Sequence, residues 1–425
     1  MRLTLLEARL IALTRRCLAD PEVSAAPRRG RPPLLPAVAL WTALTLGILH
    51  RDLTQVAIWR RLTDDFWWYN GQMQISKEAV YHRLNDADSV EMAGFFRDVT
   101  TVLLAERPAA RGYEALAPFA TGVYGLDEST LPQLARRLPD LKALAASDKA
   151  LLGGKITATF DLRRHLFHSV LLQEAGSQNE RVAAREAVAT LPVGSLILAD
   201  LGYFGFAWFD DLDETGSFYI SRLRGKTSYS TIAVLAEQGT TRDSLIWLGA
   251  HRADRAKHPV RLIEFVVNGT RRQYITNVRD PQQLSIRQVA ELYALRCRIE
   301  RAFNLVKTDL QLQVLWSSKK AVCHHQIWGV LLIAQLILAA RAEVAERAAC
   351  DLDWVSTALL VRYLPRHARR FSDPIGHFAE VGRRLEFIRK PRGITIRVPE
   401  LPASAYGPPR LAPYPTRTPR YAGKL

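Results

Sequence analysis

From about residue 118 the chain reads strand, strand, strand, helix, strand, an order that points to an α/β core. Val123-Tyr-Gly-Leu126 is an apolar run leading to Asp127. Lys155 to Leu162 and Phe167 to Leu172 alternate or run apolar like paired strands, with a tight turn near Arg163-Arg164. Glu180 to Leu191 has helical spacing, and Gly194-Ser-Leu-Ile-Leu-Ala199 is the run of a buried strand ending at Asp200. A strand-rich stretch follows: Phe218 to Leu223, Ser244 to Leu248, Val260 to Val267 and Arg272 to Val278. Long helices are predicted from Ile286 to about Leu312 and from Ile327 to Arg347.

The first 110 residues or so read as helical. Leu3, Leu6, Leu10, Leu13 and Cys17 recur at helical spacing, and Pro27-Arg-Arg-Gly-Arg-Pro-Pro33 separates them from the next apolar run. Leu53 to Leu62 is amphipathic. Ser76 is placed to cap a short helix that buries Ala79, Val80 and Leu84 and turns Lys77, Tyr81, His82 and Arg83 outward. Two such helices suit a helix-turn-helix as well as many other all-helical domains. Arg29-Gly-Arg-Pro32 matches the core of a hook that enters a narrow minor groove, but four residues are a weak signal and a plain flexible linker is the favoured reading. Beyond residue 361 the chain is Arg-rich, and after Pro399 Pro-rich, so that end is expected to be disordered or draped over a surface.

Charge narrows the function. Fifty-eight Lys and Arg against 42 Asp and Glu leave a net +16, which calls for a polyanionic partner, nucleic acid first. The four cysteines lie far apart with no CxxC pair, against a disulfide scaffold or a thiolate zinc site and in keeping with a reducing cytosol. The N-terminus lacks a signal-peptide layout, and Leu34–Leu49 and Ile327–Ala340 fall short of the roughly 18 to 20 residues of a membrane span. No membrane role is expected. His165, His168, His324 and His325 have no Cys at ligand spacing and are expected to touch solvent or DNA.

Three acids stand where chemistry would need them. Asp127 and Asp200 each follow an apolar strand, and open α/β sheets place their sites at strand ends. Glu300 lies on a helix whose core stripe is Leu292, Leu295, Ile299, Phe303, Val306 and Leu310. Tyr293, Arg296, Glu300 and Lys307 share that helix; at roughly 100° per residue they fall within an arc of about 60° beside the stripe. One strip then offers a metal-ligating carboxylate next to three phosphate partners. Taken singly, each has a plainer reading: Arg296 and Glu300 as a surface i,i+4 pair, Asp127 as a turn residue, Asp200 as a loop aspartate.

The set taken together resembles a known layout. The acids lie 73 and 100 residues apart, the strand-rich stretch sits between the second and third, and Tyr-x2-Arg-x3-Glu-x6-Lys is matched without a gap. With Leu126-Asp-Glu-Ser-Thr130, Leu198-Ala-Asp-Leu-Gly-Tyr203 and Tyr274-Ile-Thr-Asn277, the chain from about Gly122 to Leu315 resembles the IS-four-type DDE transposases of bacterial insertion sequences. The resemblance implies a ribonuclease-H-like catalytic core with a β-strand insertion, preceded by an all-helical N-terminal domain. It divides the chain into a DNA-binding part at 1–112, a catalytic domain at 118–345 with the insertion at about 215–285, and a basic C-terminal region at 346–425.

It also implies that Asp127, Asp200 and Glu300 hold two Mg²⁺ ions, with Mn²⁺ as a substitute. Tyr293, Arg296 and Lys307 would then grip phosphates of the element end; Arg222, after the strand Phe218 to Ser221, suits a further phosphate contact and equally an exposed surface Arg. Cys297 replaces the Trp that often follows the signature Arg, and Leu201 stands where relatives often carry a polar residue. Trp247 in the insertion suits either base stacking or the core. The implied activity is cleavage at terminal inverted repeats and joining to target DNA by a homodimer, in the cytoplasm at the bacterial nucleoid. The alternatives are a catalytically silent DNA-binding protein (a degraded transposase or a helix-turn-helix regulator) and a nuclease of the same fold.

Overall fold

The computed structural model describes residues 10, 12–14, 35–52, 54–64, 73–87, 89–131, 154–173, 180–250, 252–312, 314–317, 319–391, 398–408 and 411. The Arg29-Gly-Arg-Pro32 stretch, most of the first predicted helix and the last Pro-rich residues lie outside them. Residues 10 and 12–14 are helical, and four helices follow: α1 (Ala37–Leu49), α2 (Gln55–Thr63), α3 (Lys77–Asp86) and α4 (Ser89–Glu106). The Thr54 hydroxyl accepts from the Ala57 amide and that of Ser76 from the Ala79 amide, each at 3.1 Å, so α2 and α3 begin where side chains satisfy their first N–H groups. Ile58, Leu62, Val80 and Leu84 face the core, whereas Ala79 faces solvent, contrary to expectation. Residues 64–76 separate α2 from α3, far more than the three or four of a helix-turn-helix.

Strands β1 (Val123–Thr130), β2 (Lys155–Asp161) and β3 (Leu166–Gln173) are followed by α5 (Glu180–Ala189) and β4 (Leu196–Ala199). This is the order the sequence predicts. Asp161 makes the β2–β3 turn, its Oδ1 accepting from the amides of Arg163 and Arg164 at 2.8 and 2.9 Å. Then come α6 (Phe206–Glu214), β5 (Phe218–Arg222), β6 (Tyr229–Gln238), β7 (Thr241–Leu248), β8 (Val260–Val267) and β9 (Thr270–Thr276).

All nine strands form one mixed sheet in the order β3-β2-β1-β4-β5-β9-β8-β7-β6. β1, β4 and β5 run parallel, and every other pairing is antiparallel. The insertion therefore extends the central sheet as a meander joined through β5 and β9. Its edge strand β6 was not anticipated: it is half-exposed, and two register irregularities against β7 break the alternation that marks a strand.

Helices α7 (Ile286–Leu295), α8 (Cys297–Asn304), α9 (Lys320–Arg347), α10 (Thr357–Arg370) and α11 (Pro374–Val381) complete the fold. The expected single helix from Ile286 to Leu312 is interrupted. Arg296 donates its amide to the Tyr293 carbonyl, three residues back, at 3.1 Å, and residues Leu305–Asp309 form a π turn. The stripe Leu292, Ile299, Phe303, Val306 and Leu310 is buried nonetheless.

Helix α9 is the axis of the helical layer. It is long and apolar enough to cross a membrane by length and composition, but 89% of its most apolar window is buried inside the protein. Leu44 and Ile48 of α1 cross it at Gly329, where a Cβ would stand 2.5 and 2.7 Å from their methyl groups. Gln335, polar in the middle of this helix, donates to Thr100 of α4 and to the Phe167 carbonyl of β3, and accepts the Phe167 amide, all at 2.9 Å. The helices before and after the sheet thus share one core with it.

His165, His324 and His325 are buried, not at the surface as expected. The His325 ring lies 4.7 Å from that of Trp41, tilted by 49°, and its Nε2 lies 3.2 Å from the Ala87 carbonyl. No disulfide forms among the described cysteines. The described part of the Pro-rich tail drapes over the insertion: Tyr406 donates to Asp243 at 3.1 Å, and Glu400 pairs with Arg287 at 2.9 Å. Asp243 also holds the fully buried Arg261 through bonds of 2.8 and 2.6 Å.

Candidate active site

Register places the first two acids. Leu126 of β1 pairs with Ala199 of β4 in the last parallel pair, so Asp127 and Asp200 are the next residues on adjacent strands. Asp200 follows β4, as expected. Asp127 does not end its strand, because β1 continues through Thr130, held by antiparallel β2; the parallel pairing is what ends there. Leu126 and Ala199 are fully buried on one face, and alternation turns Asp127 to the other.

That other face carries the third acid. Helix α8 crosses β1 at Gly125, where a Cβ would lie 3.5 Å from Ile299, the residue before Glu300. The break at Arg296 gives this residue its role. Its guanidinium stands 3.6 Å from Asp127 Oδ2 and donates to Glu300 Oε1 at 2.6 Å. The Tyr293 hydroxyl reaches Asp200 Oδ1 at 3.5 Å, the outer limit of a hydrogen bond. Tyr293, Arg296 and the three acids therefore form one cluster.

Lys307 is half-buried in the π turn, and Arg222 is exposed at the end of β5, opposite Tyr274. The Arg222 charge is close enough to act on the Tyr293 hydroxyl. Cys297 is half-buried beside Arg296, and Trp247 is half-buried on β7.

Burial dominates the electrostatics of the cluster. The carboxyl of Asp127 is pushed up from 3.8 to about 6, chiefly by burial; Glu300 and Asp200 add to the rise, while the Glu128 amide and Arg296 oppose it. Burial also raises the Tyr293 hydroxyl, so it stays protonated and donates. Arg296 is buried enough to disfavour its charge, yet Asp200, Tyr293, Glu300 and Asp127 hold it firmly protonated.

Oxygen-only donors are the kind a hard divalent ion takes. Among the described residues, however, no three His, Cys, Asp or Glu side chains stand close enough to share one, and Arg296 bridges Asp127 to Glu300. The donor chemistry suits such an ion; the side-chain positions, with Arg296 between Asp127 and Glu300, do not enclose one.

Sequence reasoning missed the cationic wall beside the Asp200 loop. Arg224 donates to the Leu201 carbonyl at 2.7 Å and lies over the Phe204 ring at 5.3 Å, while Arg181 donates to the Phe204 carbonyl at 3.1 Å. With Arg185, Lys226 and Arg252 they line an open cavity of about 540 Å³. These residues come from α5, the β5–β6 loop and the β7–β8 loop, so no local spacing signals them.

Clustered acids on adjacent parallel strands, facing an acid-bearing helix and flanked by cations, define a site suited to phosphate-ester chemistry. The family model described as "Transposase DDE domain" matches residues 130–336, a stretch that includes Asp200 and Glu300. The transposase for insertion sequence element IS231F of Bacillus thuringiensis subsp. israelensis is 26% identical over 157 residues, covering 36% of this chain and 31% of the relative. The transposase for insertion sequence element IS231E of Bacillus thuringiensis subsp. finitimus is 31% identical over 97 residues, covering 23% of this chain and 20% of the relative. The matched stretches thus span a third or less of these relatives' length. Among solved structures, a piggyBac transposase synaptic complex with hairpin DNA aligns with a TM-score of 0.42 and 10% identity, over 91% of this chain and 84% of that one. Over the matched stretches the chain is similar to insertion-sequence DDE transposases.

Proposed function

We propose that the chain is a DNA transposase of the IS-four type that binds the terminal inverted repeats of an insertion sequence, cleaves at the ends and joins them to target DNA. The observation that carries the reading is the cluster itself: Asp127 and Asp200 at matched positions on parallel strands, and Glu300 tied to Asp127 through Arg296. The strand order β3-β2-β1-β4-β5, with β2 antiparallel between β1 and β3, supports a ribonuclease-H-like core with β6–β9 as its insertion. The division into parts at 1–112, 118–345 and 346–425 is retained as part of this proposal.

Asp127, Asp200 and Glu300 would hold two Mg²⁺ ions. Bound there, the ions would acidify the attacking water or 3′-hydroxyl and neutralise the departing oxygen. The protein's own contribution is positioning. Tyr293, protonated by virtue of its burial, donates to an anionic oxygen, and Arg296 presents a fork suited to a phosphate. Arg222, whose charge acts on the Tyr293 hydroxyl, and Lys307 in the π turn would fix the scissile strand in line for displacement. Arg181, Arg224 and Lys226 would supply phosphate contacts for flanking DNA, while Arg185 and Arg252 beside them pair with Asp211 and Asp254. Two ends need two chains, so a homodimer on DNA at the nucleoid is the working assembly.

The test is strand transfer. The purified protein, Mg²⁺ and a duplex ending in the inverted repeats that flank the gene should yield duplex joined to a supercoiled plasmid. Binding without nicking would identify a silent DNA-binding protein, and cutting of branched DNA without joining would identify a nuclease.

A further inference from the structure

Behind α8 lies a second cationic centre, distinct from the acid cluster. Arg298 projects about 200° around the helix from Glu300. With Arg301 of α8, Arg341 of α9, His165 of the β2–β3 turn, Asp353 and Thr357 of α10 it encloses a cavity of about 190 Å³. At about 30 Å³ per water, that volume admits a tetrahedral oxyanion with part of its hydration.

The charges do not balance. Asp353 is the single acid lining the cavity among the described residues. Arg298 pairs with its Oδ2, while Arg341 and Arg301 lie 3.4 and 3.9 Å from its Oδ1. Tyr113 donates to Asp353 at 3.2 Å; burial pushes this hydroxyl up to about 12, so it adds no charge. Two largely buried guanidinium groups, of which Arg341 also donates to the Val355 and Leu352 carbonyls, and the exposed one of Arg301 therefore share one carboxylate, and buried charge persists only where it is matched.

Donors are also left over. Nε and Nη1 of Arg298 are buried without a hydrogen-bond partner, as is Nε2 of His165, whose residue is only 2% exposed. Burial, reinforced by Arg341, Arg298 and Arg301, drives the His165 pKa well down, so its ring is neutral and able to donate one hydrogen bond. Arg301, 61% exposed, stands at the mouth.

We propose that this cavity binds a phosphate-type oxyanion, as a free ion or as a phosphate of a nucleic-acid backbone, between Arg298, Arg301, Arg341 and His165. Planar guanidinium forks match such an oxyanion, and the bound charge completes the deficit left by Asp353. The inference rests on the cavity alone and is independent of the proposed DNA cleavage.

Thermal unfolding in inorganic phosphate, against chloride at equal ionic strength, tests it. Wild-type Tm should rise by about 2 °C as phosphate goes from a tenth of its dissociation constant to ten times it. Arg301→Ala should lose that rise. Thr357→Glu, which places a carboxylate at the cavity, should lose it while starting from a higher Tm. A rise that vanishes on prior saturation with a short duplex assigns the site to a backbone phosphate; one that survives assigns it to a free ion. No rise in the wild type, or a rise persisting in either variant, overturns the proposal.

Discussion

Replacing Asp127 with asparagine should make the protein more stable while removing an acid its proposed chemistry needs. The carboxyl sits at about 6 in the folded protein against 3.8 as a free side chain, because it is buried beside Glu300 and Asp200. The folded state therefore holds this proton more tightly than the unfolded one. Stability falls as pH rises from 3.8 through about 6, and the loss is complete above that window. Two units at about 1.4 kcal/mol each give a penalty of order 2–3 kcal/mol at pH 7.5. Asparagine keeps the shape and removes the charge, so Tm at pH 7.5 should rise by about 3 °C if unfolding is a single step.

The assay is differential scanning fluorimetry of both proteins at pH 7.5 and pH 4, without divalent ions. At pH 4 the wild-type carboxyl is already protonated, so the gap should shrink severalfold. An unchanged or lower Tm for Asp127→Asn at pH 7.5, or the same gain at both pH values, would refute the claim that like charge and burial strain this site. A stabilised, inactive variant is what a site kept at the expense of stability should give.

Three further outcomes follow from other parts of the fold. Lys307→Ala should weaken end binding and reduce the slope of log affinity against log salt by about 1, measured by fluorescence anisotropy; an unchanged slope removes Lys307 from the phosphate contacts. Asp243→Ala strands the fully buried Arg261 and should cost about 3–5 kcal/mol in denaturant unfolding, whereas a loss under 1 kcal/mol would contradict the buried pair. Gln335→Leu leaves the Phe167 amide and carbonyl without that partner and should cost about 2–3 kcal/mol, with faster hydrogen exchange at the start of β3 as the local signature.

Much of the core was legible because its signals are local. An apolar run before Asp127 and another before Asp200 mark strands, and the stripe from Leu292 to Leu310 marks the helical layer that covers them. What the sequence could not show is what distant residues do to one another. The helix carrying Glu300 satisfies a helical pattern throughout, yet it breaks at Arg296, whose side chain is drawn to acids on β1 and on its own helix. Strand β1 runs past Asp127 because β2, more than twenty residues on, pairs with it. The buried histidines were misjudged for the same reason: composition speaks of basic surfaces, but His325 is placed by Trp41 and the Ala87 carbonyl. The wall of Arg181, Arg224 and Arg252 and the cavity of Arg298 and Arg341 exist only once separate elements meet.

The central claim is that Asp127, Asp200 and Glu300 act together in divalent-ion-dependent cutting of DNA. The most direct measurement is single-turnover nicking of an end-bearing duplex by wild type and Glu300→Gln, with and without Mg²⁺, alongside end-binding affinity. The wild type should nick only when Mg²⁺ is present, the variant should lose about a thousandfold or more, and its end binding should stay within about threefold of wild type. Nicking by Glu300→Gln at the wild-type rate would contradict the claim.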